Sequence, residues 1–207
     1  MAGLRRFARG VAPLSHCELC SAPILADHQH VVEVANRQLL CCCQACALLF
    51  GNHDGGKYRV VPGRSERLSE HLFHMTDAQW DALLIPINIA FFFKSTPASR
   101  VIALYPSPAG ATESLLDLAA WEELQADNPW LAKLEPDVEA LLVNRVDGER
   151  DYYRAPLDQC YALVGLIRAR WRGVSGGSDV WVAVGEFFAG LETGASASGI
   201  SVKEFHA

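Results

Sequence analysis

Cys17-Glu-Leu-Cys20 and Cys43-Gln-Ala-Cys46 bracket the stretch that decides how this chain folds. Two C-x-x-C pairs about twenty residues apart can close a tetrahedron of thiolates on one metal ion, each pair supplying two sulfurs from one tight turn. The insert must fold back to bring the turns together, and its pattern allows that. His30-Val-Val-Glu-Val34 has strand character, Ala35-Asn-Arg37 that of a turn, and Gln38-Leu-Leu-Cys-Cys42 that of a second strand. Ala45-Cys-Ala-Leu-Leu-Phe50 favours a helix that stops at Gly51-Asn52. A knuckle, a hairpin and two ligands at a helix start are the layout of a treble-clef or zinc-ribbon module. Cys17, Cys20, Cys43 and Cys46 are therefore the expected ligands.

Two plainer uses of these thiols compete with that reading. Buried cysteines pack as small hydrophobes, and Cys41, Cys42 and Cys43 fit the core of a strand. Disulfides are the other alternative. Six of the seven cysteines lie within residues 17–46, and an odd count without a secretory leader favours a reducing compartment and metal binding. Thiolate tetrahedra suit both zinc and iron. Rubredoxin-type iron sites carry glycine after a C-x-x-C pair, whereas Ser21 and Ala47 stand here. Zinc is the expectation and iron the alternative.

Around the four cysteines lie candidates for supporting roles. His28 and His30, in Asp27-His-Gln-His30, could replace a thiolate or steady the ligands through hydrogen bonds. Cys41 shares a strand face with Cys43, since residues two apart point the same way, so it could lie near the metal as a spare thiol; a buried structural role is the expectation. Cys42 is expected to face away. Cys160 lies on the apolar stripe of a helix and is expected in the core.

The 207 residues suffice for one substantial core or two small domains, with half of them hydrophobic and a fifth charged. The formal charge of −6 is uneven: residues 1–72 hold eight Lys/Arg against six Asp/Glu, and residues 73–207 hold ten against eighteen. An acidic remainder argues against nucleic-acid binding, which needs a concentrated basic face. The apolar run from Leu83 to Phe93 is too short for a membrane span and is interrupted by Pro86 and Asn88. Arg5-Arg6-Phe7 has the look of a twin-arginine signal but no apolar stretch follows. No membrane insertion and cytoplasmic residence are expected.

The expected division is a disordered leader over 1–15, a four-cysteine metal module over 16–63, an α+β domain over 75–192 and a flexible tail over 193–207. Arg64 to His74 is polar and expected to be the linker. Thr76-Asp-Ala-Gln79 has capping-box spacing and opens a helix to Leu84. Ile87 to Phe93 and Val101 to Tyr105 form a predicted hairpin. Pro106-Ser-Pro-Ala-Gly110 is expected to break the strand, with Thr112 capping a helix to Asp127 whose stripe is Leu115, Leu116, Ala119 and Leu124. Asp147-Gly148 marks a tight turn between strands ending at Val146 and starting at Glu149. Helices from Pro156 to Gly173 and from Ser178 to Leu191 close the pattern. The order ββ-α-ββ-α-α predicts an α+β fold with an antiparallel sheet and helices on one side.

Two further stretches carry candidate chemistry. The loop Pro106–Thr112 precedes a predicted helix start, where free N–H groups can hold an anion, but lacks the lysine of a phosphate loop. Arg168, Arg170 and Arg172 beside Trp171 either form a contact patch or complement a helix dipole. No Ser/His/Asp set, carboxylate pair or cofactor fingerprint appears, so no catalytic residues are nominated and a non-enzymatic role is expected.

Several motifs carry a resemblance. They are Cys-x-Leu-Cys, His-x-His, Leu-Leu-Cys-x-Cys-x-Ala-Cys-x-Leu-Leu-Phe and Tyr-Arg-x-Val-Pro in residues 17–62, then Tyr105-Pro-Ser-Pro-Ala-Gly-Ala-Thr-Glu-Ser114, Pro136-Asp-Val-Glu-Ala-Leu-Leu142 and Cys160-Tyr-x-Leu-Val-Gly165. The match extends to about residue 191. The chain resembles an uncharacterised bacterial family encoded beside high-affinity, actinobacterial-type nickel–iron hydrogenases. That resemblance implies a partner among hydrogenase subunits or maturation factors, and a role in assembly, protection or electron supply. The expected function is a zinc-binding accessory protein acting through protein–protein contacts. The alternative is a rubredoxin-like iron electron carrier.

Overall fold

The computed structural model describes residues 15–51, 55–115, 117–173 and 176–193. Residues 1–14 of the expected leader, 194–207 of the expected tail and 52–54 after Gly51 lie outside the described residues, whereas Ser15 falls in a strand and Thr193 in a helix.

The chain begins with a short antiparallel pair, β1 (Ser15–His16) and β2 (Pro23–Ile24), that closes the first cysteine turn. β3 (Gln29–Glu33) and β4 (Gln38–Cys42) form the expected hairpin. Its turn is fixed locally: the Asn36 side chain accepts the Gln38 N–H at 3.0 Å, and Arg37 takes a left-handed φ of 61°. α1 (Gln44–Phe50) follows, and β5 (Tyr58–Val60) pairs back onto β3 to give a three-stranded sheet in the order β4-β3-β5.

The rest of the strands make one six-stranded antiparallel sheet. β6 (Glu66–Arg67), β7 (Ile89–Ser95), β8 (Arg100–Ser107), β9 (Gly110–Ser114), β10 (Glu139–Asn144) and β11 (Asp151–Pro156) stand in the order β6-β11-β10-β7-β8-β9. Its helices are α2 (Asp77–Ala82), α3 (Leu118–Asp127), α4 (Leu157–Arg170) and α5 (Ser178–Thr193), with a 3₁₀ turn at Pro129–Lys133. The expected α+β class, with an antiparallel sheet, is what the chain adopts.

The helices, expected on one side, divide between both faces. Ile89, Phe91 and Phe93 of β7 point to a core shared with α4 and α5, while Ala90 and Phe92 point to one shared with α2 and α3. Two covered faces call for apolar residues on both sides of a strand, and β7 and β10 are buried almost throughout. Phe92 stacks on Trp121 of α3 at 5.2 Å between ring centres, and Tyr153 of β11 stacks on Phe188 of α5 at 5.6 Å.

Two local expectations need correction. No helix begins at Thr112: residues 110–114 are β9, paired with β8 through Tyr105↔Thr112 and Ser107↔Gly110. Gly110 supplies a φ of 119°, which ordinary side chains avoid, and the hairpin turns at Pro108 and Ala109. α3 starts later, where the Asp117 carboxylate accepts the Ala119 N–H at 2.9 Å. Nor is the stretch Arg64–His74 only a linker. It contributes β6 to the sheet edge and buries Leu68 and Phe73.

Other boundaries fall close to the sequence pattern. Thr76 and Gln79 make both halves of the capping box that opens α2. Asp147 and Gly148 both take positive φ, and the Glu149 N–H returns to the Val146 carbonyl at 3.0 Å. Cys160 is fully buried on α4.

Residues of the cysteine module and of the large sheet share one apolar core, from Val31, Val32 and Leu40 through Phe91 and Leu142 to Leu163 and Phe188. Ion pairs cross the same seam: Arg37 to Glu113 at 3.7 Å and Arg59 to Glu135 at 3.5 Å.

Candidate metal centre

The first knuckle is built by backbone hydrogen bonds. Ser21 donates its N–H to the Cys17 carbonyl at 2.7 Å, and Cys17 donates to the Ala22 carbonyl at 2.8 Å. Closing this turn requires a left-handed residue, and Ser21 takes φ 62° where glycine would fit without strain. Glu18 then fastens the knuckle to β4. Its N–H donates to the Cys41 carbonyl at 2.8 Å, and its carboxylate accepts the Cys41 N–H at 2.6 Å.

The second pair is built by a helix start. Cys43 is the N-cap of α1, and its sulfur accepts the Cys46 N–H at 3.5 Å. Cys43 therefore points back over the first turn, where Cys46 also sits. The four sulfurs of Cys17, Cys20, Cys43 and Cys46 lie within 4.8 Å of one another, and Cys20 and Cys43 are 3.7 Å apart. Bonds of about 2.3 Å to a central ion require sulfurs roughly 3.5–4 Å apart. The donor set fits zinc or iron. All seven cysteines are free thiols.

Electrostatics inside the cluster favours a cation. At Cys17 burial opposes ionisation, but N–H groups of Cys43, Leu19 and Cys20 outweigh it and bring the thiol down to about 6. Burial, then the facing sulfurs of Cys20, Cys43 and Cys17, pushes Cys46 well above the ordinary thiol range. One sulfur thus ionises readily while a neighbour resists following it. A divalent ion at the centre removes that repulsion, so metal binding and thiol deprotonation are coupled. Cys17 and Cys46 are buried, Cys43 is half-buried and Cys20 is exposed.

Cys41, His28 and His30, considered from the sequence as substitutes or supports, form a separate group. One ligand atom from each lies within 4.8 Å of the others. The His28 and His30 rings meet edge to face at 4.8 Å, and His30 Nδ1 lies 2.9 Å from the Asp158 carboxylate on α4. Burial disfavours a charged His30, yet Asp158 and then Cys41 more than compensate and raise it to about 9. Asp158 went unnoticed in the sequence, because nothing local marks a residue 128 positions away as a histidine partner.

The Pro106–Thr112 stretch offers no helix terminus and hence no anion site of the expected kind. It instead lines a cleft with Arg37, Tyr161 and Arg168. Arg172 hydrogen-bonds the carbonyls of Ala169 and Trp171 at the end of α4. Among the described residues, no helix is long and apolar enough to cross a membrane.

A family model described as a family of unknown function (DUF5947) matches residues 16–195. The chain belongs to this family. No curated protein and no solved structure matches it. The DUF5947 match takes in both cysteine knuckles, the histidine group and the whole six-stranded sheet.

Proposed function

We propose that this DUF5947 chain is a non-enzymatic accessory protein. Its four-cysteine centre holds a structural zinc ion, and its surface docks a subunit or maturation factor of a nickel–iron hydrogenase in a reducing, cytoplasmic setting. The observation that carries the zinc reading is the convergence of four sulfurs within 4.8 Å, from a knuckle and a helix start. Four thiolates fill a tetrahedral shell and leave no position for substrate, which is the pattern of structural rather than catalytic zinc. The hydrogenase partner rests on the sequence resemblance. A docking role is supported by α1, which exposes Leu48 and Phe50 directly after the ligand Cys46.

Structural zinc contributes folding energy, so stripping it should loosen the module first. A strong chelator is expected to raise amide hydrogen exchange in residues 16–50 while the six-stranded sheet stays protected. Unchanged exchange after verified metal loss would refute the structural role. For the partner, affinity capture from a hydrogen-oxidising host is expected to recover a hydrogenase subunit or maturation factor, and Leu48→Glu to abolish that recovery.

A second reading is favoured by one observation: Cys20 is exposed, which places a ligand sulfur at the surface where electrons can leave an iron centre. The chain would then be a rubredoxin-like electron carrier for the hydrogenase. A ferric four-thiolate centre is red and bleaches on reduction, whereas zinc is colourless. A visible spectrum of protein purified from its native host separates the two.

A further inference from the structure

We infer that His28, His30 and Cys41 form a second metal site, separate from the four-cysteine centre, which takes a zinc-class divalent ion through two imidazole nitrogens and one thiolate. The hairpin makes the site. His30 and Cys41 stand directly opposite each other in the β3–β4 register, so their side chains share a face. His28 lies two residues before His30, and the three ligand atoms come within 4.8 Å of one another.

Hydrogen bonding fixes which nitrogens are available. His28 Nδ1 lies 2.8 Å from the Leu25 carbonyl, and His30 Nδ1 lies 2.9 Å from the Asp158 carboxylate. Neither a carbonyl nor an ionised carboxylate can donate, so both Nδ1 atoms carry the proton and donate it. With each Nδ1 committed to its acceptor, Nε2 is the nitrogen left on either ring to face a metal, which displaces any proton held there. His28 Nε2 is buried and has no hydrogen-bond partner, so an acceptor is directed into the protein with nothing to accept. Asp158 behind His30 completes the carboxylate–histidine arrangement that steadies metal-binding imidazoles.

Two imidazoles and a thiolate select ions of borderline softness, zinc foremost, over the oxygen-seeking magnesium and calcium. Three protein donors leave a fourth tetrahedral position for water or an added ligand, which distinguishes this site from the closed one. Because Asp158 comes from α4, an ion here links the β3–β4 hairpin to the helix that packs on the six-stranded sheet.

The test is a zinc titration of the reduced, metal-free full chain in competition with a chromophoric chelator, read as ions bound and their affinities. Wild type is expected to bind one ion more than either His28→Ala or Cys41→Ser. Cys20→Ser is expected to lose the other ion and keep this one. Asp158→Asn, which acts by positioning His30, should retain the ion with affinity lowered roughly 10–100-fold. Cys41 is buried and its substitution can disturb the hairpin, so the half-exposed His28 decides the matter, with circular dichroism confirming that the variant is folded. Equal ion counts for wild type and folded His28→Ala would overturn the site, as would loss of both ions in Cys20→Ser. If wild type binds only the ion that His28→Ala loses, this inference stands and the four-cysteine reading fails instead.

Discussion

Cys42 and Cys43 are adjacent and have opposite roles. Cys42 is fully buried in the apolar core, where burial pushes its thiol up to about 12. Cys43 begins α1, with its sulfur 3.7 Å from that of Cys20. Cys43→Ser should therefore release metal, while Cys42→Ser keeps the ion and costs about 1–3 kcal/mol for burying a hydroxyl. Elemental analysis beside thermal denaturation separates these outcomes; metal loss from a folded Cys42→Ser protein would contradict the assignment. Asp77 gives a residue-level pH prediction. The Arg150 guanidinium, then that of Arg145, holds its carboxyl below the ordinary 3.8. A folded-state pKa below the unfolded one contributes stability above the unfolded value, and that contribution is lost as pH falls through the folded one. Acidification from neutral pH to about pH 3 should thus destabilise wild type more than Asp77→Asn in parallel acid titrations. At this scale the four cysteines were legible because C-x-x-C spacing is local. The histidine group was not, since it depends on the register that sets His30 against Cys41 and on a distant carboxylate.

Among the elements, α1 is held to its sheet by a glycine contact. A Cβ on Gly51 would come within 2.1 Å of Val60 Cγ2 and 2.7 Å of the Ala47 carbonyl, so the helix end and β5 would have to separate. Gly51→Ala is expected to destabilise the module by about 1–3 kcal/mol, as overpacking does, and to weaken metal retention. An unchanged melting temperature and ion affinity would show that the contact is relieved cheaply. Asp117→Ala removes the cap of α3 and should cost about 1 kcal/mol without altering metal binding. The sequence placed this cap wrongly for a physical reason. Thr112 has the right chemistry for a cap and the prolines before it look like strand breakers. Yet Pro106 sits one residue from the end of β8, and the real break is the turn at Pro108 and Ala109. Where capping chemistry was paired with reciprocal spacing, as at Thr76 and Gln79, the start of α2 was found.

Across the whole molecule, the six-stranded sheet has two covered faces, and its central strands state this in their sequence. Ile89-Ala-Phe-Phe-Phe93 and Ala140-Leu-Leu-Val143 are uninterrupted apolar runs, which alternation in a one-sided sheet cannot explain. A one-sided reading of these strands puts all the helices on one face, whereas two-sided burial requires them on both. Phe91 lies in the core that joins the cysteine module to α4, against Tyr161 at 5.7 Å between ring centres. Phe91→Ala should cost about 3–5 kcal/mol by leaving a cavity, and should lower the stability of metal-loaded and metal-free protein alike. A loss confined to one of the two forms would show that the module and the sheet do not share a core. The central claim, that Cys17, Cys20, Cys43 and Cys46 together bind one ion, is tested most directly by X-ray absorption at the metal edge. The sample is His28→Ala protein purified from its native host, in which the histidine group is disabled. Four sulfur scatterers at about 2.3 Å are expected; a shell containing nitrogen or oxygen, or the absence of bound metal, would contradict it.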